Sequence, residues 1–355
     1  AHIKNEAQLA FILSHEVCHY REGHFLKSYR YEKNAKKKAD PLSAVLSYSR
    51  ELELEADSLG FEIYKSSGYA LSEAVAVFDM LQHSEMAEEQ VPFTPRIFER
   101  GLYKFPSFYL LDSVHPVSSE MYDEAANTHP SCESRKKKMQ GFSKSGNQEG
   151  RLFLFPESIF KKLRLIAREE CCTLYLEDRM YGYAIYGAYV LLIEDSSNIT
   201  ARKIIGKGLY NLAAYSVSPK PGVIPKTFIL DVDEGNNFNF YGRDLSIILE
   251  YYTTVAGECQ QMHYFLGMLN SAEMTVLALR WNWELYCASN FKDEKELLVC
   301  KQLFLLLSAY NNLTVKDFKF STIVERSKLN IQDSVLSAKK RHDDFRNYQK
   351  STFGK

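Results

Sequence analysis

The chain has 355 residues, of which 45% are hydrophobic and 25% charged, the balance of a globular protein with enough apolar side chains for two domains. Its formal net charge of -1 predicts no general attraction to nucleic acid or to anionic lipid. The seven cysteines form no CxxC pair, so neither a zinc ribbon nor a disulfide framework is indicated. No apolar run is long enough to span a membrane, and we expect no transmembrane helix within this chain.

Helical periodicity dominates the first 142 residues. Four helices are predicted there, over residues 5–26, 41–66, 72–82 and 131–139. Pro41 and Ser72 supply the start signals of the second and third helices. Residues 87–130 contain several prolines and are predicted to be irregular. The helical pattern opens within a few residues of Ala1, so we expect the amino-terminal part of this domain to be missing.

A polar, glycine-bearing stretch over 143–151 is predicted to be a linker. After it, helices are predicted over 156–177, 179–194, 198–216, 243–269, 271–289, 293–311 and 331–350, with a short strand over 227–232. Helix pairs of about 34–40 residues fit either tetratricopeptide-like repeats or an irregular bundle. The predicted fold is mainly α, with α+β as an alternative for domain 1–142, and 152–355 is the helical domain.

The stretch "ILSHEVCHYREGH" places His15 and His19 four residues apart, so on a helix their imidazoles share one face. That spacing lets two histidines bind one zinc ion, with Glu16 placed as general base for a metal-activated water. Such a string arises by chance in roughly one in a hundred chains of this length, so other ligands must support it. By helical phase His24 faces away, and we expect it to pack or to support a ligand indirectly.

A catalytic zinc site needs a third protein ligand, and the predicted second helix offers two carboxylates four residues apart. Glu53 is the candidate third ligand. Asp57 is the candidate acceptor for the distal N–H of a ligand histidine, which fixes the tautomer of that histidine. Taken alone, "ELELEAD" is explained more simply as a solvated acidic helix face.

The order of these motifs resembles that of a known family. The chain has HExxHxxxxH, then ExxxD with a glycine, then SGY, then THP followed by an arginine. This is the layout of the HtpX, Oma and BepA type of zinc metallopeptidases, which include the CAAX prenyl proteases. The matching residues are His15, Glu16, His19, His24, Glu53, Asp57, Gly60, Ser67, Gly68, Tyr69, His129, Pro130 and Arg135. The resemblance covers about residues 1–142 and implies a zincin-type domain with one zinc ion per chain.

The resemblance also implies roles for two later residues. His129 matches a histidine that, in some members, occupies the fourth zinc position and keeps the enzyme latent. His115 is a weaker rival for this role, because no arginine follows it at the matching distance. Arg135 matches an arginine near the active site that supports it or contacts substrate. Without the family context, His129 is simply a loop or helix-start residue before a proline.

We therefore predict a zinc metalloendopeptidase that acts on protein or peptide substrates, with no nucleic-acid partner. Its helical carboxy-terminal region is predicted to recruit substrate or a protein partner of the cell envelope. Many relatives carry an apolar insertion between the second histidine and the glutamate ligand. Here that connection is basic and polar, which favours a protein that is soluble or peripheral to the membrane. The bacterial periplasm or cell envelope is the expected location, with a role in protein quality control or processing.

Two alternatives remain open at this point. One is a non-catalytic scaffold or chaperone-like binding protein, in which the zinc site is structural or permanently latched by His129. The other is a set of helices that carry histidines and bind no metal.

Overall fold

The computed structural model describes residues 2–82, 90–99, 105–116, 129–143, 150–216, 255–269, 271–288 and 293–310. The chain divides into two compact units, the first made of Ala1–Glu88 and Ser118–Arg168 and the second of Glu89–Val117 and Glu169–Lys355. This division differs from the predicted boundary at 143–151. Residues 89–117 group with the second unit, and residues 150–168 group with the first.

The first unit is built from helices. They are α1 (Glu6–Arg21), α2 (His24–Ala35), α3 (Pro41–Lys65), α4 (Ser72–Leu81), α5 (Cys132–Ser143) and the start of α6 (Glu157–Glu177). The side chains of Asn5 and Asp40 cap α1 and α3 by accepting backbone N–H groups of the first turn. Within the described residues there is no strand, and only an isolated bridge joins Tyr69 to Arg151. The prediction of a mainly α fold is confirmed.

The predicted first helix over 5–26 is in fact two helices. Gly23 adopts a φ of 63°, a left-handed conformation that glycine reaches easily because it has no Cβ. The chain turns there, so α1 ends at Arg21 and α2 begins at His24 and packs against α3. The basic stretch that the sequence presents as a connection is therefore helical as far as Ala35.

Helices α1 and α3 approach closely at Gly60. A Cβ on Gly60 would lie 3.0 Å from Cα and N of His15, so a larger residue would force the two helices apart. Behind this contact α1, α3, α4 and α5 enclose a buried apolar core of Phe11, Phe61, Tyr64, Leu71, Ala74, Val77, Phe78 and Met139. Each large side chain buried there contributes about 1.5–3 kcal/mol. The core thus fixes the helices whose polar residues form the site.

The second unit contains the end of α6 and further helices. They are α7 (Tyr181–Glu194), α8 (Ile199–Ser216), α9 (Glu258–Met268), α10 (Ser271–Ala288) and α11 (Glu294–Tyr310), with short 3-10 helices at Pro95–Phe98 and Ser107–Tyr109. α7 packs against α8 and α9, and α10 packs against α8 and α11. The hydroxyl of Tyr189 donates to the carbonyl of Pro92, and the Phe98 and Phe265 rings stack.

Several predicted elements fall wholly or partly outside the described residues. They are the strand over 227–232, the helix over 331–350, the first part of the helix over 243–269 and most of the linker over 143–151. The choice between tetratricopeptide-like repeats and an irregular bundle stays a prediction. Among the helices that the structure describes, none has the length and apolar character needed to cross a membrane.

Candidate metal centre

The three predicted ligands converge from two helices. The Nε2 atoms of His15 and His19 on α1 lie 2.9 Å apart. Glu53 on α3 places Oε2 3.5 Å from Nε2 of His15 and Oε1 3.3 Å from Nε2 of His19. Ligand atoms bound tetrahedrally to zinc at about 2.0–2.1 Å are about 3.3 Å from one another, so the donor set fits zinc. Among the described residues, His15, His19 and Glu53 form the group whose side chains could together hold a metal ion.

Asp57, the candidate acceptor, lies behind His15. Its Oδ1 is 3.1 Å from Nδ1 of His15, on the side of the ring opposite to the converging nitrogen. The guanidinium of Arg135, on α5, donates to both carboxylate oxygens of Asp57, with Nε 2.8 Å from Oδ2 and Nη2 2.7 Å from Oδ1. Both members of this pair are buried. Arg135 thus holds the carboxylate of Asp57 against the ring of His15.

These contacts set the charges of the group. Burial disfavours the charged form of His15, but its contacts with Asp57 and Glu53 outweigh burial and raise the pKa of His15 to about 9. Burial also disfavours the charged form of Glu53, but contacts with His15, Arg135 and His129 outweigh burial and lower the pKa of Glu53 to about 2. Burial lowers the pKa of His19. Glu53 is thus an ionised carboxylate, and a cation that binds Nε2 of His15 at neutral pH displaces a proton.

His24 lies against the other candidate ligand. Its Nδ1 is 3.0 Å from Nδ1 of His19, and its Nε2 is 3.3 Å from Oε2 of Glu55. The ring is only 3% exposed. The helical-phase prediction, which placed His24 facing away on a continuous helix, is wrong, because the turn at Gly23 carries it back against His19. A supporting role for His24 toward His19 stays a prediction.

Arg135 and His129 are both close to Glu53, but in different ways. Arg135 is buried, and its Nη1 lies 3.6 Å from Oε2 of Glu53. This burial does not fit the alternative in which Arg135 contacts substrate. His129 is 60% exposed, with Nδ1 3.0 Å from Oε2 of Glu53, and it lies outside the group of three converging ligands. His115 belongs to the second unit, where its ring contacts Gln260.

A cleft of about 450 Å³ adjoins the candidate ligands. It is lined by Glu16, His19, Tyr20, His24, Phe25, Ser28, Ser49, Leu52 and Glu53. Glu16, the predicted base, is exposed and lines this cleft beside two of the candidate ligands. Sequence reasoning missed Glu55, Tyr20 and Phe25. Gly23 was the available signal, because a glycine after the last periodic residue often ends a helix and would have redirected the residues that follow it.

An HExxH zinc metallopeptidase site requires two histidines from one turn of a helix, a third ligand such as a glutamate, and a glutamate that water can reach. His15, His19, Glu53 and Glu16 have this arrangement. Residues 38–143 match the model of Peptidase family M48. This match confirms the family resemblance and implies a zinc-dependent metallopeptidase with protein or peptide substrates. It includes Glu53, Asp57, His129 and Arg135, and begins after the HExxH helix. Comparison with curated proteins and with solved structures gave no match.

Proposed function

We propose that the protein is a zinc metalloendopeptidase in which His15, His19 and Glu53 hold one zinc ion per chain. The observation that carries this proposal is the convergence of their ligand atoms within 4.8 Å of one another. When bound, zinc would polarise the scissile carbonyl and acidify a water molecule. The protein groups around it then have to orient the ligands and transfer a proton.

Glu16 is the proposed general base. Its carboxylate is exposed in the cleft that His19 and Glu53 also line, so a water molecule and a peptide can reach it. Glu16 would take a proton from the attacking water and deliver it to the leaving amine. The two proton transfers return the carboxylate to its starting state.

The residues behind the ligands are proposed to fix their tautomers. When Asp57 accepts the Nδ1 proton of His15, the Nε2 lone pair of that ring points toward the other ligands. His24 would accept the Nδ1 proton of His19 in the same way, while its own Nε2–H faces Glu55. The raised pKa of His15 places a proton between the two Nε2 atoms, which lie 2.9 Å apart, and a zinc ion held by both nitrogens and Glu53 would replace that proton.

Zinc removal tests the proposed function. The purified full chain is expected to contain one zinc ion and to cleave internal bonds of a peptide blocked at both ends. A chelator should abolish cleavage, and added zinc should restore it. Metal analysis and mass spectrometry of the products measure the two results. A blocked peptide left intact by the zinc-loaded chain would favour the scaffold alternative, and a chain that takes up no zinc would favour helices without a metal site.

Replacing His24 with alanine is expected to weaken zinc binding by about 10–100-fold, because the tautomer of His19 loses its support. His24→Asn should retain more affinity, since its amide oxygen can still accept a hydrogen bond. Competition with a chromogenic chelator measures the dissociation constants. Lys27→Ala is the matched control, because Lys27 also approaches Glu55, at 3.8 Å, without touching a ligand. Unchanged zinc affinity in His24→Ala would show that His24 does not support the tautomer of His19.

His129→Ala tests latency. The ring of His129 stands exposed beside Glu53, where a movement could bring it to the metal as a fourth ligand. A latch closed in about nine molecules of ten reduces activity about tenfold, so we expect a rise of that order in cleavage rate. Zinc content should stay unchanged, as measured on the same samples. A variant that keeps its zinc and remains inactive would instead favour a structural site and a scaffold.

We further propose that the helices of the second unit recruit a substrate or protein partner, and that the protein acts in quality control or processing at the bacterial cell envelope or in the periplasm. The family resemblance supports this proposal, as does the basic character of α2, which fits a site peripheral to a membrane.

A further inference from the structure

Two aromatic side chains stand exposed at the edge of the candidate active-site cleft. Tyr20, on the last turn of α1, is 90% exposed, and Phe25, on the first turn of α2, is 83% exposed. The left-handed turn at Gly23 separates them, and the buried ring of His24 anchors the start of α2. Both line the same cleft as Glu16 and two of the candidate ligands, His19 and Glu53.

We propose that this cleft is the specificity subsite of the peptidase and takes a bulky apolar side chain, aromatic or branched aliphatic, from the residue next to the scissile bond. This inference rests on the proposed function. Tyr20 and Phe25 would contact that side chain, and Leu52 would form part of the apolar wall. The volume of about 450 Å³ lies within the usual range for small-molecule sites and exceeds what one side chain needs.

The charges in the cleft exclude the main competitors. An acidic substrate side chain would be repelled by Glu16, which is exposed in the cleft. A basic side chain would need a carboxylate free to receive it, but Glu53 is held by the ligand histidines and Arg135, and Glu16 is committed to the proton transfers. The rings of His19 and His24 are assigned to the zinc site, and the hydroxyls of Ser28 and Ser49 are neutral. Apolar contact with the two exposed aromatic rings is therefore the interaction that the cleft offers.

The test measures binding and cleavage separately. Dipeptide hydroxamates, which bind zinc and are not cleaved, are titrated into the zinc-loaded full chain with Phe, Leu, Ala, Lys or Asp next to the hydroxamate. Because one methylene in an apolar pocket already discriminates about 10-fold or more, the Phe and Leu compounds should bind at least about tenfold more tightly than the others. Phe25→Ala and Tyr20→Ala should each reduce this preference to within about threefold.

Leu26→Ala is the matched control, because Leu26 is 55% exposed on the same helix and does not line the cleft. It should keep the full preference. In parallel, Phe25→Ala should lower kcat/KM about tenfold for a blocked peptide with Phe or Leu at this position. The value for the alanine peptide should stay within about twofold.

Equal affinities for all five compounds, tightest binding of the lysine compound, or no binding of any compound would overturn the subsite. Apolar preference in binding without any cleavage of blocked peptides would overturn the proposed function and leave the subsite standing. Cleavage without side-chain preference would overturn the subsite and leave the proposed function standing.

Discussion

Glu16→Gln is expected to abolish peptide hydrolysis while zinc binding stays intact. Glutamine keeps the shape of the side chain but cannot accept the proton of the attacking water, and loss of a general base costs about 10²–10⁴ in rate. Because Glu16 is exposed and lies outside the three converging ligands, its replacement should disturb neither the core nor the metal. The measurements are kcat/KM on a doubly blocked peptide and zinc content per chain.

Glu51→Gln provides the matched control for this experiment. Glu51 is also an exposed glutamate, two residues before Glu53 on α3, but it does not line the cleft. Its replacement should leave both activity and zinc content unchanged. A zinc-loaded Glu16→Gln protein with wild-type activity would exclude the proposed mechanism.

Breaking the buried ion pair is expected to have the largest effect on stability. In Asp57→Ala the guanidinium of Arg135 loses its two short hydrogen bonds in a buried setting. Removing one partner of such a pair typically costs about 3–5 kcal/mol in the free energy of unfolding. Arg135→Leu should cost about as much, and the double variant less than the sum. Urea unfolding measures all three.

The exposed pair between Lys136 and Asp79 supplies the control. Like the buried pair it connects α5 to another helix of the first unit, yet its aspartate side chain is 59% exposed. Exposed pairs contribute about 0–1 kcal/mol, so Asp79→Ala should barely change the free energy of unfolding. Similar losses in the free energy of unfolding for Asp57→Ala and Asp79→Ala would show that Asp57 and Arg135 do not act as a buried pair.

Relations within one helix could be predicted from the sequence, because helical geometry fixes them. The four-residue spacings of His15 with His19 and of Glu53 with Asp57 were enough to place each pair on one face. The roles assigned to these residues stay predictions, although the structure brings His15, His19 and Glu53 together. The mainly helical fold followed in the same way from apolar periodicity.

Relations between elements could not be predicted in this way. The turn at Gly23 depends on one backbone angle, and it decides that His24 contacts His19 and that Phe25 lies at the edge of the cleft. The grouping of residues 89–117 with the second unit depends on long-range contacts, such as the hydroxyl of Tyr189 donating to the carbonyl of Pro92. Local sequence patterns do not reveal such long-range contacts.

The buried pair also constrains the order of events during protein synthesis. Arg135 follows Asp57 by 78 residues, and the intervening chain includes residues 89–117, which pack in the other unit. Asp57 therefore leaves the ribosome long before the residue that neutralises it. Domains generally fold as units while the chain emerges, but here neither unit is one continuous stretch. The candidate catalytic centre consequently matures late, after the first portion of the second unit has already been synthesised.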